Sequence, residues 1–139
     1  MRPVLVDSNV LLDLLTEDPV WFDWSKQAMD ALTGTVRLII NPVIYAEVSS
    51  RFSNADDLDM ALPPAIVERE PVPFPAAFAA GRAFREYRMR GGARTSLLPD
   101  FLIGAHAEHG RYQLLTRDIG RYRTYFPNVS LIAPQRSPS

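Results

Sequence analysis

Val4-Leu5-Val6 is an apolar run that stops at Asp7-Ser8-Asn9, after which Val10, Leu11, Leu12, Leu14 and Leu15 follow at helical spacing. A strand that passes through three cap-favouring residues into an apolar helix is the opening half of a β–α unit. The pattern recurs along the chain. A second helix is expected from near Pro19 to Leu32, stopped by Gly34, followed by a β-branched strand from Val36 to Ile40. Asn41-Pro42 then starts a helix to about Phe52, with Asn as cap and Pro in the first turn. Prolines 63, 64, 71, 73 and 75 break the next stretch into a short acidic helix and an extended piece near Ile66 to Val72. Helices are expected from Ala76 to Arg90, before Gly91-Gly92, and from Pro99 to His109, before Gly110. Tyr112 to Thr116 reads as a strand, Ile119 to Tyr125 as a short helix and Val129 to Ile132 as a last strand.

Strands alternating with helices imply a mainly parallel sheet, right-handed crossovers and helices on both faces, an α/β fold in three layers. The runs lack strict alternation, as strands buried on both sides do. The 139 residues suit one domain, expected over 1–133, with a frayed tail over 134–139. The absence of cysteine excludes disulfides, thiolate metal sites and cysteine nucleophiles. No apolar run approaches the roughly 20 residues of a membrane helix. The first acid comes too early for a signal-peptide core, so a cytoplasmic location is expected.

Function in such sheets gathers beyond the carboxyl ends of the strands. Asp7 follows the first strand directly, and Asp118 follows Leu114-Leu115-Thr116 by one residue. Asp100 lies in the first turn of its helix, among Ile103, Gly104 and Ala107. Glu47 sits at the margin of an apolar helix face. Each acid alone has a structural alternative. Asp7 and Asp118 can be helix caps, Asp100 can complement a helix dipole, and Glu47 can pair with Arg51. Converging together, four carboxylates repel unless protons or a cation join them. Hard oxygen donors without cysteine and with few histidines select Mg²⁺, or Mn²⁺ in its place.

The segments Val4-Leu-Val-Asp7-Ser8-Asn9, Glu47 in Pro-Val-Ile-Tyr-Ala-Glu-Val, Pro99-Asp100-Phe-Leu-Ile-Gly-Ala-His-Ala and Leu-Leu-Thr116-Arg117-Asp118 resemble the PIN-domain nucleases. The likeness is closest to the VapC-type toxins of bacterial toxin–antitoxin pairs. It runs in order from Val4 to about Ile132. The resemblance implies that Asp7, Glu47, Asp100 and Asp118 form an acidic metal-binding quartet. It makes Thr116 the hydroxyl beside the last acid and Asn9 a polar support for the first. It further implies Mg²⁺-dependent endoribonuclease activity that leaves 5′-phosphate and 3′-hydroxyl ends, a VapB-type antitoxin partner and a homodimer. His106 and His109 match no position of the motif, and Asn54 to Pro75 lies in family-variable territory.

Charge is asymmetric: residues 1–81 carry 5 basic and 12 acidic side chains, whereas residues 82–139 carry 10 and 4. Fourteen of the 15 basic residues are arginines, whose planar fork suits phosphate. Arg82, Arg85 and Arg88 recur along one helix, and Arg117 and Arg121 flank Asp118. They read either as a solvated face or as an RNA-backbone track beside the acids. The Trp21-Phe22-Asp23-Trp24 cluster is a candidate protein contact or core. Aspartyl phosphotransferases are disfavoured: Asn9 stands where haloacid-dehalogenase-like enzymes need a second Asp, and Lys26 falls in a helix where receiver-like domains need a late-strand lysine. A DNA-directed nuclease is disfavoured by the small chain. The remaining alternative is a catalytically inactive PIN-like RNA-binding or scaffold domain.

Overall fold

The computed structural model describes residues 2–94 and 97–135, with no side-chain description for Arg121. Its elements are β1 (Val4–Val6), α1 (Ser8–Leu15), α2 (Phe22–Leu32), β2 (Leu38–Ile40), α3 (Pro42–Ser49), α4 (Ala55–Ala61), β3 (Val67–Arg69), α5 (Phe74–Met89), α6 (Leu98–Gly110), β4 (Gln113–Leu115), α7 (Ile119–Tyr125) and β5 (Leu131–Ile132). All five strands pair in parallel in the order β3-β2-β1-β4-β5. The sheet thus grows outward from β1 in both directions. Right-handed crossovers then place α1 to α4 over one face and α5 to α7 over the other. In keeping with those layers, α1 packs on α2 and α3, and α5 packs on α6.

The three-residue strands are short, and burial compensates for their length. Val4, Leu5, Val6, Leu38, Ile39, Ile40, Leu114 and Leu115 are all buried. Side chains pointing to opposite faces of a strand are covered by opposite helix layers, which explains the continuous apolar runs.

Several boundaries differ from the sequence expectation for identifiable reasons. The second helix begins at Phe22 and not near Pro19, because Asp18 Oδ1 accepts the N–H groups of Val20 and Trp21 in a turn before it. The third ends at Ser49 and not at Phe52; Arg51 and Phe52 donate to carbonyls three residues back, tightening the chain out of the helix. Strand β2 starts at Leu38 because Val36 N–H still reaches back to Leu32. Asn41 caps α3 as expected, accepting from Ile44 N–H with Pro42 in the first turn. Of the tail expected to fray, residues 136–139 lie outside the described residues.

One close approach fixes the layer over β4. A Cβ built on Gly104 of α6 would lie 2.5 Å from Phe126 Cδ2. Phe126 is itself buried and packs on Phe101. Gly104→Ala is therefore expected to overpack this seam and destabilise the fold by roughly 1–3 kcal/mol. Urea unfolding monitored by circular dichroism checks it; unchanged stability would mean that the α6–α7 seam is loose.

Candidate active site

The direction of chain growth reverses between β1 and β4, so their carboxyl ends open a crevice at the switch point of the sheet. Asp7 leaves β1 on one side of it, and Thr116 and Asp118 leave β4 on the other. The register Val6 to Leu115 puts these two exits at the same level, and Asp7 N–H donates to Leu115 O at 2.9 Å.

Asp7 is 3% exposed, and its Oδ2 is surrounded by donors. Thr116 Oγ1 donates to it at 2.8 Å, Tyr122 Oη at 2.9 Å and Asn9 Nδ2 at 3.3 Å. Asn9 Nδ2 also lies 3.2 Å from Thr116 Oγ1, and Asp118 N–H donates to that hydroxyl at 3.0 Å. One threonine hydroxyl therefore joins the first acid to the last. The other Asp7 oxygen, Oδ1, has the Ser8 hydroxyl at 3.5 Å, but that hydroxyl donates to Glu47 Oε1 at 2.8 Å. Ser8 thus borders both Asp7 and Glu47 and ties α1 to α3.

The cap alternative fails for Asp7, which stands at the N-cap position of α1 without a side-chain cap hydrogen bond among the described residues. Asn41 and Asn54 do cap their helices.

Electrostatics couple the acids that the sequence singled out. Asp7 is pushed up to about 6, first by burial, against the lowering donations of Thr116 and Tyr122, and further by the charges of Asp100 and Glu47. Glu47 is raised by burial and by Asp100, with the Ser8 hydrogen bond opposing. Tyr122 is raised well above its usual value by burial and by the charges of Asp7, Asp100 and Asp118, so it remains a donor. Sequence reasoning missed Ser8 and Tyr122. The available signal for Tyr122 was its place one helical turn after Asp118, facing the same crevice.

Among the described residues, no three His, Asp or Glu side chains stand close enough to grip a metal ion as they are placed. The donor chemistry nevertheless fits a hard divalent cation. The set is all carboxylate, burial and mutual charge raise Asp7 and Glu47, and among the described residues the second oxygen of Asp7 has a single long contact. The two histidines stand apart from this set. His106 is buried with Nδ1 3.0 Å from Asn41 Nδ2 and Nε2 2.9 Å from Glu70 Oε1. Because Asn41 Oδ1 is committed to Ile44 N–H, its amide must donate to Nδ1, which puts the ring proton on Nε2 toward Glu70. His109 lies in the last turn of α6.

Comparison with known proteins decides the family. The sequence matches the family model of the PIN domain over residues 4–127. The chain belongs to the PIN-domain family. Three similar solved structures share the fold. The VapBC2 complex of Rickettsia felis bound to a promoter DNA fragment aligns at TM-score 0.70 and 18% identity, over 94% of this chain and 98% of that one. A toxin–antitoxin complex from Klebsiella pneumoniae gives 0.64 and 24%, covering 91% and 94%. DNA-bound VapBC from Salmonella typhimurium gives 0.66 and 18%, covering 96% and 98%. A search of curated proteins finds no match. PIN domains are generally nucleases, and in this chain Asp7 and Asp118 flank the crevice between β1 and β4.

The arginines divide into two groups. Arg82 and Arg85 on α5 are exposed and line a groove of about 760 Å³ that Glu86, Glu108, Tyr125 and Phe126 also border. Arg88 donates to Ala93 O, and Arg82 lies over the Phe78 ring. Arg117 is engaged by Asp13, with Nε to Oδ2 at 2.9 Å and Nη2 to Oδ1 at 3.0 Å. The side chain of Arg121 lies outside the described residues. Among the described residues no helix is long and apolar enough to cross a membrane.

The raised Asp7 has a signed consequence for stability. Between about pH 4 and pH 6 the folded protein keeps a proton that the unfolded chain releases, so stability falls as pH rises through this window. The loss amounts to roughly 3 kcal/mol in ion-free protein. Asp7→Asn keeps the shape without the charge. In EDTA it is expected to melt higher than wild type at pH 7.5, with the difference shrinking toward pH 4. Equal melting temperatures at both pH values would show that Asp7 carries no such burden.

Proposed function

We propose that this chain is a Mg²⁺-dependent endoribonuclease, the toxin of a VapBC-type pair, which cuts RNA in the cytoplasm and so inhibits translation and growth. The observation that carries the reading is the coupling of Asp7, Glu47 and Asp100 at the switch point, with Asp7 held by three donors while its second oxygen has, among the described residues, one long contact. Asp7, Glu47, Asp100 and Asp118 would hold Mg²⁺, or Mn²⁺ in its place.

A bound divalent ion supplies an activated water and balances charge on the phosphate and the leaving oxygen. The protein's share is positioning. Thr116, Tyr122 and Asn9 hold Asp7 in one orientation, so little reorganisation is needed at the moment of reaction. Tyr122 stays protonated and adds no negative charge to the site. Ser8 aims Glu47 at the same crevice. No side-chain nucleophile is required.

Arg82, Arg85 and Arg88 supply an RNA-backbone track that offsets the repulsion between phosphates and the acids. The Klebsiella pneumoniae neighbour is a toxin–antitoxin complex, and by that likeness this chain takes a VapB-type antitoxin; a homodimer is part of the same proposal.

Purified protein freed of antitoxin, incubated with total bacterial RNA and Mg²⁺, is expected to make discrete cuts with 5′-phosphate ends. EDTA abolishes them, and Asp7→Asn slows them about 100-fold or more. Full activity in Asp7→Asn contradicts the assignment. Absence of cutting together with absence of ion binding favours the inactive scaffold alternative. Neutralising Arg82, Arg85 and Arg88 to Gln is expected to weaken RNA binding and flatten its salt dependence while leaving ion binding unchanged. An unchanged salt slope, read by fluorescence anisotropy, removes the track.

A further inference from the structure

Arg117 lies between Thr116 and Asp118, and it is restrained through both its backbone and its side chain. Its backbone N–H donates to Asn9 Oδ1 at 3.4 Å. Its guanidinium makes a two-pronged pair with Asp13 on α1 and lies 5.2 Å over the Trp21 ring. Asp13 is 2% exposed and also accepts from Ser25 of α2 at 2.8 Å. Asp18 accepts from the Trp21 backbone N–H, which fixes the main chain from which the indole projects. The loop after β4 is therefore tied to α1 directly, and to α2 through the Trp21 ring at its start and the Asp13–Ser25 bond.

We infer that the Asp13–Arg117 pair is a clamp that sets Thr116 and Asp118 for ion binding, making Arg117 a positioning residue and not an RNA contact. The inference rests on the nuclease reading above. A planar fork against a carboxylate restrains both translation and rotation of the loop, which a single point charge does not. A buried ion pair is poor evidence for stability, since matched apolar residues often serve as well. It is better suited to fixing one geometry. Adjacent Cα atoms are about 3.8 Å apart, so displacing Arg117 moves Asp118 directly.

Asp13 makes the inference separable from RNA binding, because a side chain this buried cannot touch a phosphate. The test compares wild type, Arg117→Lys and Asp13→Asn as full chains. Mn²⁺ affinity is measured by calorimetry without RNA, followed by kcat, KM and the salt dependence of RNA binding. The clamp predicts a loss of about tenfold in Mn²⁺ affinity for both variants. It predicts a matching fall in kcat, with KM and the salt slope unchanged. Melting in EDTA establishes that each variant folds. If either does not, the apolar pair Asp13→Leu with Arg117→Met keeps the packing and is expected to fold with the same Mn²⁺ loss.

Wild-type Mn²⁺ affinity in Asp13→Asn, or a loss confined to Arg117→Lys with raised KM, overturns the clamp in favour of an RNA contact. Absence of Mn²⁺ binding by the wild type overturns the nuclease reading and the clamp with it.

Discussion

One carboxylate oxygen, Asp7 Oδ2, gathers three donors from three parts of the chain: Asn9 in α1, Thr116 after β4 and Tyr122 in α7. That convergence fixes the crevice between the two central strands. It is also costly, because the group is buried beside Glu47 and Asp100 and its affinity for a proton rises to about 6. A site built only for stability would not put a carboxylate there. Three donors favour the charge, burial and two neighbouring acids oppose it, and the opposition wins in the ion-free protein. The reading of the site as a cation seat follows from this imbalance.

The sheet serves that arrangement. Three-residue strands suffice because β1, β2 and β4 are buried on both faces, leaving their carboxyl ends as rigid mounts for polar residues. Helices α1, α3 and α6 then bring Asn9, Glu47 and Asp100 toward one rim from both layers. The Ser8–Glu47 bond and the Thr116–Asp7 bond link residues 39 and 109 apart in sequence. Each is a long-range contact that only the finished fold supplies.

The layout of the fold was legible because it rests on local signals. Val4-Leu5-Val6 before Asp7, and Asn41 before Pro42, announce where a strand or helix must start or stop. Parallel order then follows from alternation and handedness, and with it the common edge of Asp7 and Asp118. Boundaries slipped where a side chain intervened, as Asp18 does before α2. Pairings across the molecule were not legible. Nothing at position 122 or 8 says that a hydroxyl will reach a particular acid. Nor does Arg117 reveal in sequence that its fork turns inward to Asp13 and not outward. Position on an edge can be read from pattern; the partner of a side chain requires the fold.

The central claim is that these acids form a cation site, and the most direct measurement is the melting temperature of the wild-type chain at pH 7.5 against rising Mg²⁺ or Mn²⁺. Binding confined to the folded state raises stability with the logarithm of ion concentration once the site begins to fill. The account predicts such a rise over micromolar to millimolar ion, and none when Asp7 is replaced by Asn. A melting temperature indifferent to divalent ions across that range would contradict it.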